Sequence, residues 1–213
     1  YAMADSPMGP FTFTGIIMDE SPSGCWTNHH SITEYNGQWY LFYHHNDYSP
    51  NFDKNRSARI DSLFFNTDGT IKKVKPTLRG VGITDARSKI QIDRYSTISP
   101  YGVTIDYLEP SNTFEGWQTL FNRAGTWVTY NKVDFGTTPV KRLKARVRSE
   151  KGGAITLRTP GEKGMTIAEL PIKPTGKWTE ISTNVSNAPT SMQDLIITQT
   201  GENPVAVDWI SFE

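Results

Sequence analysis

Residues 28–45 read NHHSITEYNGQWYLFYHH, and this stretch decides how the start of the chain folds. Two β-rich runs, 31–35 and 38–44, flank Asn36-Gly37. That dipeptide is the strongest short-range signal for a β-hairpin, because a type I′ turn needs a positive φ at both central positions. In the second run Trp39, Leu41 and Tyr43 share one face, and Tyr40, Phe42 and His44 share the other. Neither face is polar. The strand is therefore expected to be covered on both sides, as happens when the small sheets of a β-propeller stack face to face around a central channel. His29 and His30 stand just before the hairpin, where an inner strand approaches such a channel.

Outward from the hairpin, residues 12–17 read as a short strand, 58–65 as a third strand after a polar loop, and 71–74 as a fourth beyond an Asp-Gly turn at 66–70. Three strands and a short closing one make a blade, and 76–82, PTLRGVG, is its exit. From residue 83 the texture changes. Short β-rich runs follow one another about every 8 to 12 residues with Gly, Pro, Asn and Asp between them, which points to a sandwich or barrel, with a sandwich favoured. They lie near 90–93, 103–107, 116–121, 127–135, 140–148, 154–159, 165–170, 179–185, 192–198 and 206–212. The last run carries one acid, Asp208, among apolar neighbours, and a carboxylate there must be paired or bound to a metal.

Composition narrows the function. The 213 residues hold 22 basic and 22 acidic side chains, a formal net charge of zero, which argues against a nucleic-acid or membrane-surface partner held by bulk electrostatics. Cys25 is the single cysteine, so neither an intrachain disulfide nor a cysteine-built zinc site is available. No apolar run approaches the ~18 residues of a membrane span. The opening YAMADSPMGP has no signal-peptide pattern and no initiator Met, and an upstream portion is expected to be missing.

Taken together, SPMGPF, NHHS, GQWYLFYHH, NRSARIDSLFF and DGTIKKVKPT make residues 1–82 resemble the last part of a glycoside hydrolase family 43 five-bladed propeller. KIQIDRY, AGTWVTYNKVDFG, GGAITLR, GKWTEI and VDWISFE make residues 83–213 resemble a family 6 carbohydrate-binding module, a β-sandwich of the jelly-roll kind. The resemblance implies an all-β chain. It also implies the C-terminal portion of a bacterial hydrolase of plant cell-wall polysaccharide, of α-L-arabinofuranosidase or β-xylosidase type, acting on arabinoxylan, xylan or arabinan. The alternative is a non-catalytic binding or propeller-buttressing domain. A secreted, periplasmic or cell-surface location follows only from a polymeric substrate.

Residue by residue, the resemblance makes His29 the imidazole at the floor of the pocket, helping to hold a central calcium directly or through waters, and Arg56 the arginine that points at the sugar. Arg59 is a weaker candidate for that place. The inverting chemistry needs a carboxylate base, a carboxylic acid and a third carboxylate. These come from earlier blades, so no catalytic residue is expected in this chain, which should be inactive without them. The acids at 19, 20, 34, 47, 53, 61 and 68 read as solvated. In the module Trp178 and Phe121 match the two walls of a loop-end cleft, Trp117 offers another platform, and Ala206 stands where the family has a sugar-binding asparagine. Gln91, Asp93 and Asp208 match the ligands of a structural calcium joining the first and last strands. The missing N-terminal blades are the expected protein partner.

Overall fold

Asn36 at φ 50° and Gly37 at φ 76° turn the chain back on itself, pairing Tyr35 with Gln38, in a computed structural model that describes residues 1–20, 28–46, 56–161 and 164–213. Among these residues there is no α-helix, only a 3-10 turn at Thr113–Glu115, and no helix is long and apolar enough to cross a membrane. The chain divides into two units, Tyr1–Val81 and Gly82–Glu213.

The first unit is built on one antiparallel sheet. Strands β1 (Ala2–Met3) and β2 (Thr12–Phe13) pair with each other, so the run read at 12–17 shrinks to two residues. Strands β3 (Ser31–Tyr35), β4 (Gln38–His45) and β5 (Ser57–Leu63) form the three-stranded sheet in that order. The fourth strand read at 71–74 reduces to isolated bridges, Phe65 with Ile71 and Met18 with Val74. Leu41, Tyr43, Leu63 and Val74 make the core, with Ile17, Met18, Ile32 and Ile71 packed against it. This covers one face of β4. On the other, Phe42 remains 43% exposed, so among the described residues the two-sided burial read from the sequence is not met.

The same buried face carries charge. Asp61, read as solvated, is 6% exposed and accepts hydrogen bonds from Tyr43 Oη at 2.5 Å, Thr77 Oγ1 at 2.6 Å and Thr77 N at 3.1 Å. Burial and the Asp61 carboxylate together push the Tyr43 phenol well above its ordinary range. Beside them Arg59 Nε donates to His45 Nε2. Asp61 thereby ties the exit segment to β5. Gly80 in that segment sits at φ 78° with its α-carbon against the Ile60 carbonyl, where a β-carbon would collide.

In the second unit the sequence runs β6 (Thr84–Asp85), β7 (Ile90–Gln91), β8 (Thr97–Ile98), β9 (Val103–Tyr107), β10 (Trp117–Phe121), β11 (Trp127–Asp134), β12 (Arg142–Arg148), β13 (Gly153–Arg158), β14 (Thr166–Ile172), β15 (Thr179–Asn184), β16 (Met192–Gln199) and β17 (Val205–Phe212). These make two sheets. One has the order β15-β12-β17-β10-β9, with β7 also on β17; the other has the order β14-β13-β16-β11-β6, with β8 also on β11. Alternation explains the core. Leu143, Ala145 and Val147 of β12 are buried, as are Ile155 and Leu157 of β13, Leu195 and Ile197 of β16, and Val205 and Val207 of β17. Phe135 meets Phe212 edge-on at 5.1 Å. Every strand read for this unit is present, shifted by a residue or two at its ends and shortened most at Ile90–Gln91.

Two stability predictions follow from the first unit. Gly37→Val forces a β-branched residue to positive φ with no contact to blame, and should lower unfolding free energy by about 1–2 kcal/mol in a denaturant titration. Asp61→Ala leaves the buried Tyr43 hydroxyl and the Thr77 donors without their acceptor, should cost about 3 kcal/mol, and should speed tryptic cleavage after Arg79.

Candidate functional site

The outer face of β12 sets the site. Its sequence alternates Arg142, Lys144, Arg146 and Arg148 with the buried Leu143, Ala145 and Val147, so all four cations emerge on one side. Lys144 Nζ lies 2.8 Å from Glu213 and Arg142 Nε 3.9 Å from the same carboxylate. Arg146 Nη1 donates to Asp208 Oδ2 at 2.6 Å. The register between β12 and β17 jumps from Arg146↔Trp209 to Val147↔Val207, which makes Asp208 the extra residue of a β-bulge. The bulge aims the carboxylate at Arg146. Asp208 is 3% exposed, and burial pushes its carboxyl above the usual range while Arg146 pulls the other way.

Arg148, at the end of the row, enters a hollow of about 390 Å³. Leu120 and Ala206, paired across β10 and β17, form its apolar floor; Arg148, Glu150 and Lys151 line its side, with Asn203 and Pro204 completing it. Trp178, just before β15, is half-buried against both neighbouring cations: its ring centre lies 5.1 Å from the Arg148 guanidinium carbon and 5.3 Å from that of Arg146. Its indole Nε1 is buried and has no hydrogen-bond partner among the described residues.

The other candidates fall as follows. Phe121 is fully buried, paired with Val205 on the inner face, and is corrected from cleft wall to core. Strand parity decides this, since only one of residues 120 and 121 faces out, and it is Leu120. Trp117 is half-buried with one face taken by Tyr107, stacked at 4.3 Å and 24°. Arg56 is exposed at the head of β5, whereas Arg59 is buried on His45. His29 is exposed, its backbone N donating to His44 Nδ1 at 3.3 Å and its ring edge-on to His44 at 5.7 Å. The acids at 47 and 53 and Cys25 lie outside the described residues.

The residues named for calcium do not fit it. Gln91 is exposed, Asp93 has the Arg94 Nε at 3.1 Å, and Asp208 has Arg146, so each buried carboxylate already faces a guanidinium. Among the described residues no three His, Cys, Asp or Glu side chains gather closely enough to hold a metal ion. Calcium prefers six to eight oxygens, and among the described residues no such cluster of acids gathers at His29. The basic row of β12 went unread in the sequence, although the alternation in 141–148, KRLKARVR, carries it.

The second unit is thus a β-sandwich with a hollow floored by Leu120 and Ala206, and Trp178 stands beside the Arg148 that lines it. Residues 98–213 match the model for the carbohydrate binding module (family 6), and the chain belongs to that family. An arabinoxylan arabinofuranohydrolase of Paenibacillus polymyxa is 29% identical over 217 positions, covering 94% of this chain and 33% of its own length. A beta-xylosidase of Xylanibacter ruminicola is 47% identical over 77 residues, 35% of this chain and 23% of its own. The crystal structure of a glycoside hydrolase family 43 arabinoxylan arabinofuranohydrolase from Bacillus subtilis, in complex with cellotetraose, superposes with a TM-score of 0.67 at 26% identity, covering 100% of this chain and 46% of that one. Both resemblances read from the sequence stand, and the chain spans a third or less of these two curated relatives.

Arg146→Met should destabilise the second unit by about 3 kcal/mol at neutral pH, because it strands a buried carboxylate. The sign with pH is set by the raised carboxyl of Asp208. A group bound more tightly to its proton when folded favours the native state at low pH and loses that contribution as pH rises through its folded value. The loss caused by Arg146→Met should therefore shrink as denaturant titrations are moved to lower pH, where Asp208 takes up its proton.

Proposed function

We propose that the chain is the C-terminal portion of a plant cell-wall polysaccharide hydrolase of arabinofuranosidase or xylosidase type, with a family 6 module that holds the enzyme on arabinoxylan, xylan or arabinan. The observation that carries this reading is the continuous likeness through both units, in the same order, to an arabinoxylan arabinofuranohydrolase. A polymeric substrate implies that the enzyme works outside the cytoplasm.

Under this reading the chain supplies binding and support, and the inverting carboxylates belong to blades outside it. Three acids of the first unit have other work: Asp61 holds Thr77 and Tyr43, Asp19 meets Lys73 at 2.5 Å, and Asp68 accepts from Thr70 within its own turn. Arg56, exposed at the head of β5, has the planar fork to hold sugar hydroxyls or a carboxylate beside that chemistry. Met8, Phe11, Phe13 and Phe64 are 91%, 63%, 74% and 55% exposed, an apolar surface of the kind neighbouring blades would cover. A second reading, in which the module only buttresses the propeller, gains support from Phe121 in the core and Ala206 in place of an amide.

Affinity electrophoresis of the chain through gels containing wheat arabinoxylan separates the two. Retardation relative to plain gels is expected, reduced about tenfold in affinity, ~1.4 kcal/mol, by Trp178→Ala. Unchanged mobility of the parent chain in every polysaccharide gel would leave the buttress.

A further inference from the structure

Of the four cations on the outer face of β12, Arg142 and Lys144 share Glu213 and Arg146 is bound to Asp208. Arg148 alone has no carboxylate within ion-pair distance among the described residues, and it is the one that lines the hollow. The nearby carboxylate of Glu109 is taken up locally, by Ser111 Oγ at 2.7 Å and Ser111 N at 3.0 Å. Glu150 and Lys151, both exposed on the wall, cancel each other's charge, so the guanidinium sets the sign of the site.

Its orientation matters as much as its charge. The Arg148 guanidinium carbon lies 5.1 Å from the centre of the Trp178 ring, and a cation–π contact of this kind consumes none of its N–H donors. An indole face occupied by guanidinium groups is a poor sugar platform but a good support for a fork. Trp178 is thus a positioning residue for Arg148. Beneath lies an apolar floor of Leu120 and Ala206, sized for a sugar ring.

We propose that this hollow recognises an acidic sugar, a uronic acid side group on the polysaccharide, with its ring over Leu120 and Ala206 and its carboxylate bound by the Arg148 fork beside Lys151. The proposal rests on the carbohydrate-binding reading above and names the ligand class of that site. It does not conflict with a net charge of zero, because one carboxylate is read locally.

Titration calorimetry of the full chain with three oligosaccharides tests it: xylotetraose, the same backbone bearing one glucuronic acid, and that compound with its carboxyl reduced to the alcohol. The acidic compound should bind at least about tenfold tighter than its reduced twin, with the advantage shrinking as sodium chloride is raised. Arg148→Gln should abolish the preference, weakening the acidic compound far more than its reduced twin. Arg148→Lys, which keeps the charge without the fork, should retain only part of it. Equal affinity for acidic and reduced compounds overturns the acidic class while leaving a neutral sugar site. Absence of binding by all three overturns both this proposal and the binding reading. Loss of both ligands alike in Arg148→Gln, with the thermal melt unchanged, also overturns the assignment.

Discussion

The ion pair between Arg146 and Asp208 organises the second unit. A strand buried along nearly its whole length has no place for a charge unless a counter-charge reaches it, and β17 solves this by bulging at Asp208 toward the neighbouring strand. The consequences spread along β12. With Arg146 committed, its guanidinium lies within 5.3 Å of Trp178, and the indole in turn supports Arg148 at the mouth of the hollow. One bulged residue therefore sets strand register, the place of an aromatic ring and the direction of a cation. Buried pairs of this kind stabilise little against an apolar alternative, but they penalise every register that leaves the carboxylate alone.

In the first unit a comparable constraint works on a smaller core. Leu41, Tyr43, Leu63 and Val74 bury one face of a three-stranded sheet, and such a sheet is marginal by itself. Asp61 compensates by collecting donors from β4 and from the exit segment, so that the chain leaving the blade is fastened to the strand in its middle. Phe42 on the opposite face has no such layer. An aromatic strand apolar on both sides is the signature of a sheet with two neighbours.

How much of this was legible follows from how local each signal is. The Asn36-Gly37 turn needs two residues, and the sandwich strands need only alternation and punctuation, so both emerge with correct ends to within a few positions. Parity was the finer test. Phe121 was placed in the cleft because it is aromatic and near the right spot, yet the alternation of β10 turns it inward and Leu120 outward. Asp61 looked solvated because its three donors come from residues 16 and 18 positions away, and Asp208 looked like a metal ligand because Arg146 is 62 positions distant. A buried charge announces that it has a partner; only the fold says which.

The exchange of residues at the hollow has a direction. An amide in the place of Ala206 offers both donors and an acceptor, which suits neutral hydroxyls, since each hydroxyl gives one hydrogen bond and takes others. Arg148 offers donors alone. A site that trades an amide for a guanidinium loses the ability to accept from a hydroxyl and gains affinity for groups that only accept, of which a carboxylate is the commonest on plant polysaccharides. The smaller Ala206 side chain also leaves the floor below the fork open, and Ala206 of β17 and Arg148 of β12 are direct cross-strand partners in one hollow.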